Sequence, residues 1–276
     1  MPEYFEFLRP DRPFVRDDQE TRSLHFNIDA MQSMMSCHRP FDLEIAYTKT
    51  MMGFLLAKAN PVHILMIGLG GGSLAKFCYQ NLPQTRITVV EINPRIIALR
   101  RQFLIPDDDE RFSVVCADGA DFVRGARPAF DVVLVDGFDN QGLSAQLCTQ
   151  AFYDHCWDSM TADGVLVANL DNEHPAHAAV IQRIDQVFKG NAMEIKVIDR
   201  SNRIAFAVKG RPISSHGMNL SASLGHLAVA ARSQLQSEFQ RILQILDGRA
   251  PVSQDAPRCN EQNHTAFEVQ VPLSAP

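Results

Sequence analysis

From residue 62 to residue 208 the chain alternates short β-branched runs with amphipathic stretches whose apolar residues recur three and four positions apart. That alternation is what a parallel sheet with crossover helices requires. Seven runs read as strands, at 62–67, 86–91, 112–117, 130–136, 164–170, 193–199 and 203–208, with helices at 73–80, 94–103, 147–160 and 175–188. Only Arg200, Ser201 and Asn202 separate the last two strands. A parallel connection needs a dozen or more residues, so these two must be antiparallel neighbours. The expected fold class is α/β, a Rossmann-like seven-stranded sheet with its last strand antiparallel.

The flanks have a different texture. Segments 4–8, 24–28 and 31–35 read as short strands and 42–56 as a lead-in helix, so residues 1–58 form a small N-terminal β region ahead of a nucleoside-binding domain at 59–210. Residues 211–247 hold one amphipathic helix over 220–246, apolar at Leu224, Leu227, Ala231, Leu235, Phe239, Ile242 and Leu246. The stretch 248–276 is polar, rich in Pro, Gln and Asn, and reads as a flexible tail. A formal charge of −6 lacks the basic excess of a phosphate-backbone binder, which argues against nucleic acid and for a small cationic substrate. The six cysteines form no C-x-x-C pair and read as reduced core thiols. No stretch approaches the roughly eighteen apolar residues of a membrane span, and no basic leader opens the chain. The expectation is a cytoplasmic protein with no membrane partner. The nine histidines form no ligand spacing, so no metal is expected.

The chemistry concentrates where strands end. Ile67 leads into Gly68-Leu69-Gly70-Gly71-Gly72-Ser73, a glycine cluster at a strand-to-helix turn where backbone can approach a ligand and helix N–H groups can face it. The next strand ends in Glu91, about twenty positions on, placed to accept from both ribose hydroxyls, as it would be in a dinucleotide enzyme too. The third ends in Asp118-Gly119, whose carboxylate can accept from an adenine amino group and so favours an adenosyl sulfonium over a dinucleotide. Asp121 reads as a capping or solvated residue. The fourth strand ends in Asp136, with Asp139 three residues on. Two such carboxylates can hold an amine, and one can take a proton from it so that the lone pair attacks the sulfonium-bound carbon; Asp139 alternatively serves an Asx-type turn. The antiparallel end of the sheet points to the class I methyltransferase type rather than the all-parallel dinucleotide fold.

Over roughly residues 24–209 the sequence resembles the spermidine synthase family, the polyamine aminopropyltransferases. Glu44-Ile45-Ala46-Tyr47 matches the family's Glu, two residues, Tyr. Val90-Glu91-Ile92-Asn93 is similar to its Val-Glu-Ile-Asp, and Ala117-Asp118-Gly119 to its Gly-Asp-Gly. Asp136, Asp139 and Gly142 match its Asp-Ser-Ser/Thr-Asp-Pro-x-Gly loop, and Gln32 is similar to its cofactor-contacting glutamine. Where the family's glycine loop carries an aspartate that grips the aminopropyl amine, this chain has Gly71. The resemblance implies aminopropyl transfer from decarboxylated S-adenosylmethionine to a small amine, with Asp136 as base and Asp139 and Tyr47 positioning the amine. It implies a cofactor site of Gln32, Gly68, Gly70, Gly71, Gly72, Glu91, Asp118 and Gly119, and a homodimer. Two alternatives stay open at this level: a methyltransferase or other alkyl transferase using intact S-adenosylmethionine, and a non-catalytic nucleoside-binding protein.

Overall fold

A computed structural model describes residues 13–27, 31–139, 142–198 and 202–248. The expected strand at 4–8 and all but the first residue of the expected tail at 248–276 lie outside these. Three strands come first, β1 (Phe14–Asp17), β2 (Thr21–His25) and β3 (Met31–Ser36), paired antiparallel in chain order. The first is absent from the sequence reading because four residues, Phe-Val-Arg-Asp, carry no full alternation. The lead-in helix is two short pieces, α1 (Ala46–Met51) and α2 (Phe54–Ala57), rather than one helix over 42–56. Its break is at Gly53, where a Cβ would lie 2.8 Å from the Ile242 side chain and 2.9 Å from the Thr50 carbonyl.

The alternating region follows as β4 (His63–Ile67), α3 (Ser73–Asn81), β5 (Arg86–Glu91), α4 (Pro94–Ala98), β6 (Phe112–Cys116), α5 (Gly119–Arg124) and β7 (Phe130–Val135). A two-residue hairpin, β8 (Phe138–Asp139) with β9 (Gly142–Leu143), precedes α6 (Gln150–Ser159), β10 (Met160–Asp171), α7 (His177–Val187), β11 (Ala192–Lys196) and β12 (Asn202–Val208). The helix expected at 147–160 starts at Gln150, where the Thr149 hydroxyl accepts from the Phe152 N–H at 3.2 Å. The one expected at 94–103 stops at Ala98, and Leu104 beyond it takes a φ of +53°. The C-terminal helix is also two, α8 (Leu220–Gly225), capped by Asn219, and α9 (Val229–Leu246).

The main sheet runs β11-β12-β10-β7-β4-β5-β6. Strand β12 is antiparallel to both its neighbours, β10 and β11, and the other pairs are parallel, as the three-residue gap requires. Both faces are covered, so the central strands are apolar throughout instead of alternating with polar residues. Ile64 and Met66 face a core shared with β2, α3 and α9; Leu65 and Ile67 face one shared with α6 and α7. At the amino edge the buried Asp131 accepts from the Val62 and His63 N–H groups at 2.6 and 3.1 Å and pairs with Lys58 at 3.3 Å. That carboxylate staples strand starts, which leaves the carboxyl edge for ligand. Cys78, Cys148 and Cys156 are buried, but Cys37 and Cys116 are exposed, a correction to the reading of core thiols. Among the described residues no helix is long and apolar enough to cross a membrane.

Candidate functional site

A cavity of about 590 Å³ opens over the carboxyl ends of β4, β5, β7 and β10, with β3 and α1 as its roof. This is where an open α/β sheet holds ligands, at the point where the strand order reverses. Its floor is the glycine turn. Gly68 (φ +97°) donates to the Val90 carbonyl at 2.8 Å, and a Cβ on it would fall 2.2 Å from the Asp136 carbonyl oxygen. Gly70 and Gly72 also take positive φ, and Gly72 is the left-handed residue from which α3 starts. Gly71 has no such torsion. A Cβ there would meet the Ser33 Oγ at 2.6 Å and Phe103 at 3.0 Å, so strand β3 fills the space beside it.

Glu91 is buried, its Oε2 accepting from the Leu69 N–H at 2.9 Å and its Oε1 from the Asn93 N–H at 2.8 Å. Burial pushes its carboxyl above the ordinary carboxylate range, against the pull of those N–H donors. Asp118 lines the cavity and is itself the cap of α5, its Oδ1 accepting from Ala120 N–H at 2.7 Å and Asp121 N–H at 3.3 Å. Asp121 is exposed and pairs with Arg124 at 2.7 Å, so of its two expected roles it takes the solvated one. Gly119 has no room for a side chain because a Cβ would meet Ile67 at 2.4 Å. Gln32 lines the cavity from β3.

Asp136 stands half-buried at the end of β7, and neutral donors hold both its oxygens. The Tyr47 hydroxyl donates to Oδ2 at 3.0 Å, and the Asn169 amide to Oδ1 at 2.8 Å. Asn169 in turn accepts from the Asn202 amide at 2.9 Å, so β12 reaches the carboxylate through β10. Burial raises the Asp136 pKa, and the two donors only partly offset it. Asp139 lies on β8, opposite Gly142. The motif search misses Asn169, Asn202 and Asp171. Asn169 alone leaves a local trace, as the polar residue inside Val-Leu-Val-Ala-Asn-Leu-Asp, an apolar run otherwise buried on both faces. Asn169 and Asp171 are two apart, so they face the same side of the sheet, with Asp171 one step further out.

Among the described residues, the charged groups lining the cavity are Glu91, Asp118, Asp136 and Asp171, and none of the lining residues is Lys, Arg or His. Four carboxylates converging on one enclosed volume favour a cationic occupant. Among the described residues no group of three or more His, Cys, Asp or Glu could hold a metal ion. If Glu91 has the ribose role expected from the sequence, Glu91→Gln should lower affinity for an adenosine nucleoside by about 1.5–3 kcal/mol, the scale of a hydrogen bond to a charged group. Equilibrium titration would check it, with unchanged affinity ruling Glu91 out as the ribose acceptor.

Residues 44–199 match the model of the spermine/spermidine synthase domain. The polyamine aminopropyltransferase of Chromobacterium violaceum is 37% identical over 199 residues, which are 72% of this chain and 76% of that one. A probable spermidine synthase from Corynebacterium glutamicum superposes with a TM-score of 0.64 at 18% identity, over 94% of this chain and 95% of that one. A spermidine synthase in complex with the transition-state analogue AdoDATO gives a TM-score of 0.57 at 21% identity, over 82% and 89%. With a domain match over more than half its length and a curated relative at this identity, the chain belongs to the spermine/spermidine synthase family.

Proposed function

We propose that the protein transfers the aminopropyl group of decarboxylated S-adenosylmethionine to a small amine, with Asp136 as the base. The amine lone pair attacks the methylene carbon next to sulfur. The C–S bond breaks with its electron pair going to sulfur, which leaves as neutral methylthioadenosine, and the ammonium proton passes to the Asp136 carboxylate. The observation that carries this reading is the Asp136 carboxylate itself, lining a cavity whose charged groups among the described residues are all acidic, and held by Tyr47 and Asn169. The glycine turn, Glu91 and Asp118 take the nucleoside, and Gln32 contacts it from the roof. Tyr47 and Asp139 take the acceptor ammonium, with Asp171 as a further carboxylate along the same sheet face.

The second reading, transfer from intact S-adenosylmethionine, draws on Gly71, which places no carboxylate against a donor's own carboxylate. Among the described residues, however, the cavity lining supplies no cation to pair with that group. Calorimetry with the two nucleosides should show the decarboxylated donor binding tighter by about 1.5–3 kcal/mol, the cost of a charged group left without its partner. Turnover of the decarboxylated donor with a series of α,ω-diamines completes the test. Tighter binding of intact S-adenosylmethionine would sink the aminopropyl assignment.

A further inference from the structure

Helix α1 carries Tyr47, yet it is poorly equipped to hold itself in place. It has six residues, no side-chain bond at its N-cap and no acidic residue in its first turn. Isolated helices shorter than about 12–15 residues are marginal in water. One of its residues is a threonine whose hydroxyl turns back on a preceding carbonyl, Thr48 on Ile45 at 2.6 Å. Such a bond competes with the helix rather than supports it. A phenol that positions a base must nevertheless stay within about 0.5 Å of its working place.

The C-terminal helix α9 supplies what α1 lacks. Gln234 and Glu238 are four residues apart and so share one stripe of α9. The Gln234 side chain accepts from the Leu43 N–H at 2.9 Å and donates to Asp42 at 2.8 Å. Glu238 accepts from the Thr50 hydroxyl at 2.5 Å, while Arg241 grips both its oxygens at 2.8 and 2.5 Å. The Glu238 and Arg241 side chains are only 14% and 13% exposed. Beside them Leu235, Phe239 and Ile242 are buried and supply the apolar packing. Polar groups in such an interface add little net stability, but they specify one register where apolar packing alone tolerates several. The segment 42–51 is thus bonded to α9 on both sides of Tyr47.

We propose that α9 is a positioning brace for the active site, with Gln234 and Glu238 fixing α1 so that the Tyr47 hydroxyl meets Asp136. The proposal rests on reading Tyr47 and Asp136 as the acceptor site. Its test is the double variant Thr50→Val/Gln234→Leu, which removes the bonds on both sides of Tyr47 and leaves the Glu238–Arg241 pair intact. Turnover is measured with the diamine best used by the unaltered protein, and donor affinity by calorimetry, each in the presence of Tyr47 and in a Tyr47→Phe background. The expected result is a loss in turnover of about tenfold to a hundredfold, the scale for a catalytic group misplaced by about 1 Å, with donor affinity unchanged. In the Tyr47→Phe background the double variant should add no further loss. Wild-type turnover in the double variant, or a loss of full size persisting without the Tyr47 hydroxyl, overturns the brace. Should the double variant not fold, Thr50→Val alone removes the Glu238 side of the hold and leaves the Gln234 side in place. It should then show a smaller loss, again absent in the Tyr47→Phe background, and a loss that persists there overturns the proposal. Unchanged turnover in Tyr47→Phe alone would remove the acceptor-site reading and the brace together, which a silent double variant beside an impaired Tyr47→Phe would not.

Discussion

Asp136→Asn is expected to lower turnover by about 10²–10⁴-fold, the usual contribution of a positioned proton acceptor, while leaving nucleoside affinity unchanged. The substitution keeps shape and removes basicity. An amide there can still accept from Asn169 through its oxygen, and its nitrogen can donate to the Tyr47 hydroxyl, which rotates to accept. The fold and the nucleoside floor therefore survive. The pH profile gives a second readout of the same change. Burial raises the Asp136 pKa and the base must be ionised to work, so activity should climb with pH through a value above the usual carboxylate range. That acid limb should vanish from the residual activity of the variant. A limb that persists unchanged would assign it to another group.

Gly68→Ala should be the most damaging glycine-to-alanine change among the described residues, costing about 3–5 kcal/mol of stability, the size reserved for backbone clashes and strained torsions. The new carbon would sit 2.2 Å from the Asp136 carbonyl oxygen, on a residue whose φ of +97° suits only glycine. Neither side can yield cheaply. The Gly68 N–H is bonded to Val90 and the Asp136 N–H to Ile67, both at 2.8 Å, so three strand ends are locked around the contact. Denaturant titration would measure the loss, and any folded fraction should bind nucleoside poorly. A variant within about 1 kcal/mol of wild type would mean that the turn relaxes more freely than two such bonds allow.

Much of this could be read from the amino acids because the signals were local. The three-residue link at 200–202 forces an antiparallel end to the sheet, and the glycine turn, Glu91, Asp118 and Asp136 all stand at the carboxyl ends of consecutive strands. What escaped was set by distant packing. The lead-in helix breaks at Gly53, where Ile242, almost two hundred residues later, packs so close that only glycine fits. Asn169 and Asn202 carry no motif, since their meaning depends on β10 lying between β7 and β12. Asp118 hid a double duty: the carboxylate that faces the cavity also caps α5, and only the backbone trace shows both. The Phe14–Asp17 strand is simply too short to declare its own period.

The four carboxylates that line the cavity bear on the end of the proposed cycle as much as on its beginning. Donor and acceptor arrive as cations and are drawn in by the same field. Once the C–S bond breaks, sulfur is a neutral thioether, and the positive charge resides on the lengthened amine and the departing proton. The spent nucleoside then keeps its hydrogen bonds but loses the Coulombic part of its hold, whereas the amine product retains it. Added salt should consequently weaken capture of both substrates and speed departure of the amine, with little influence on the nucleoside that stays behind.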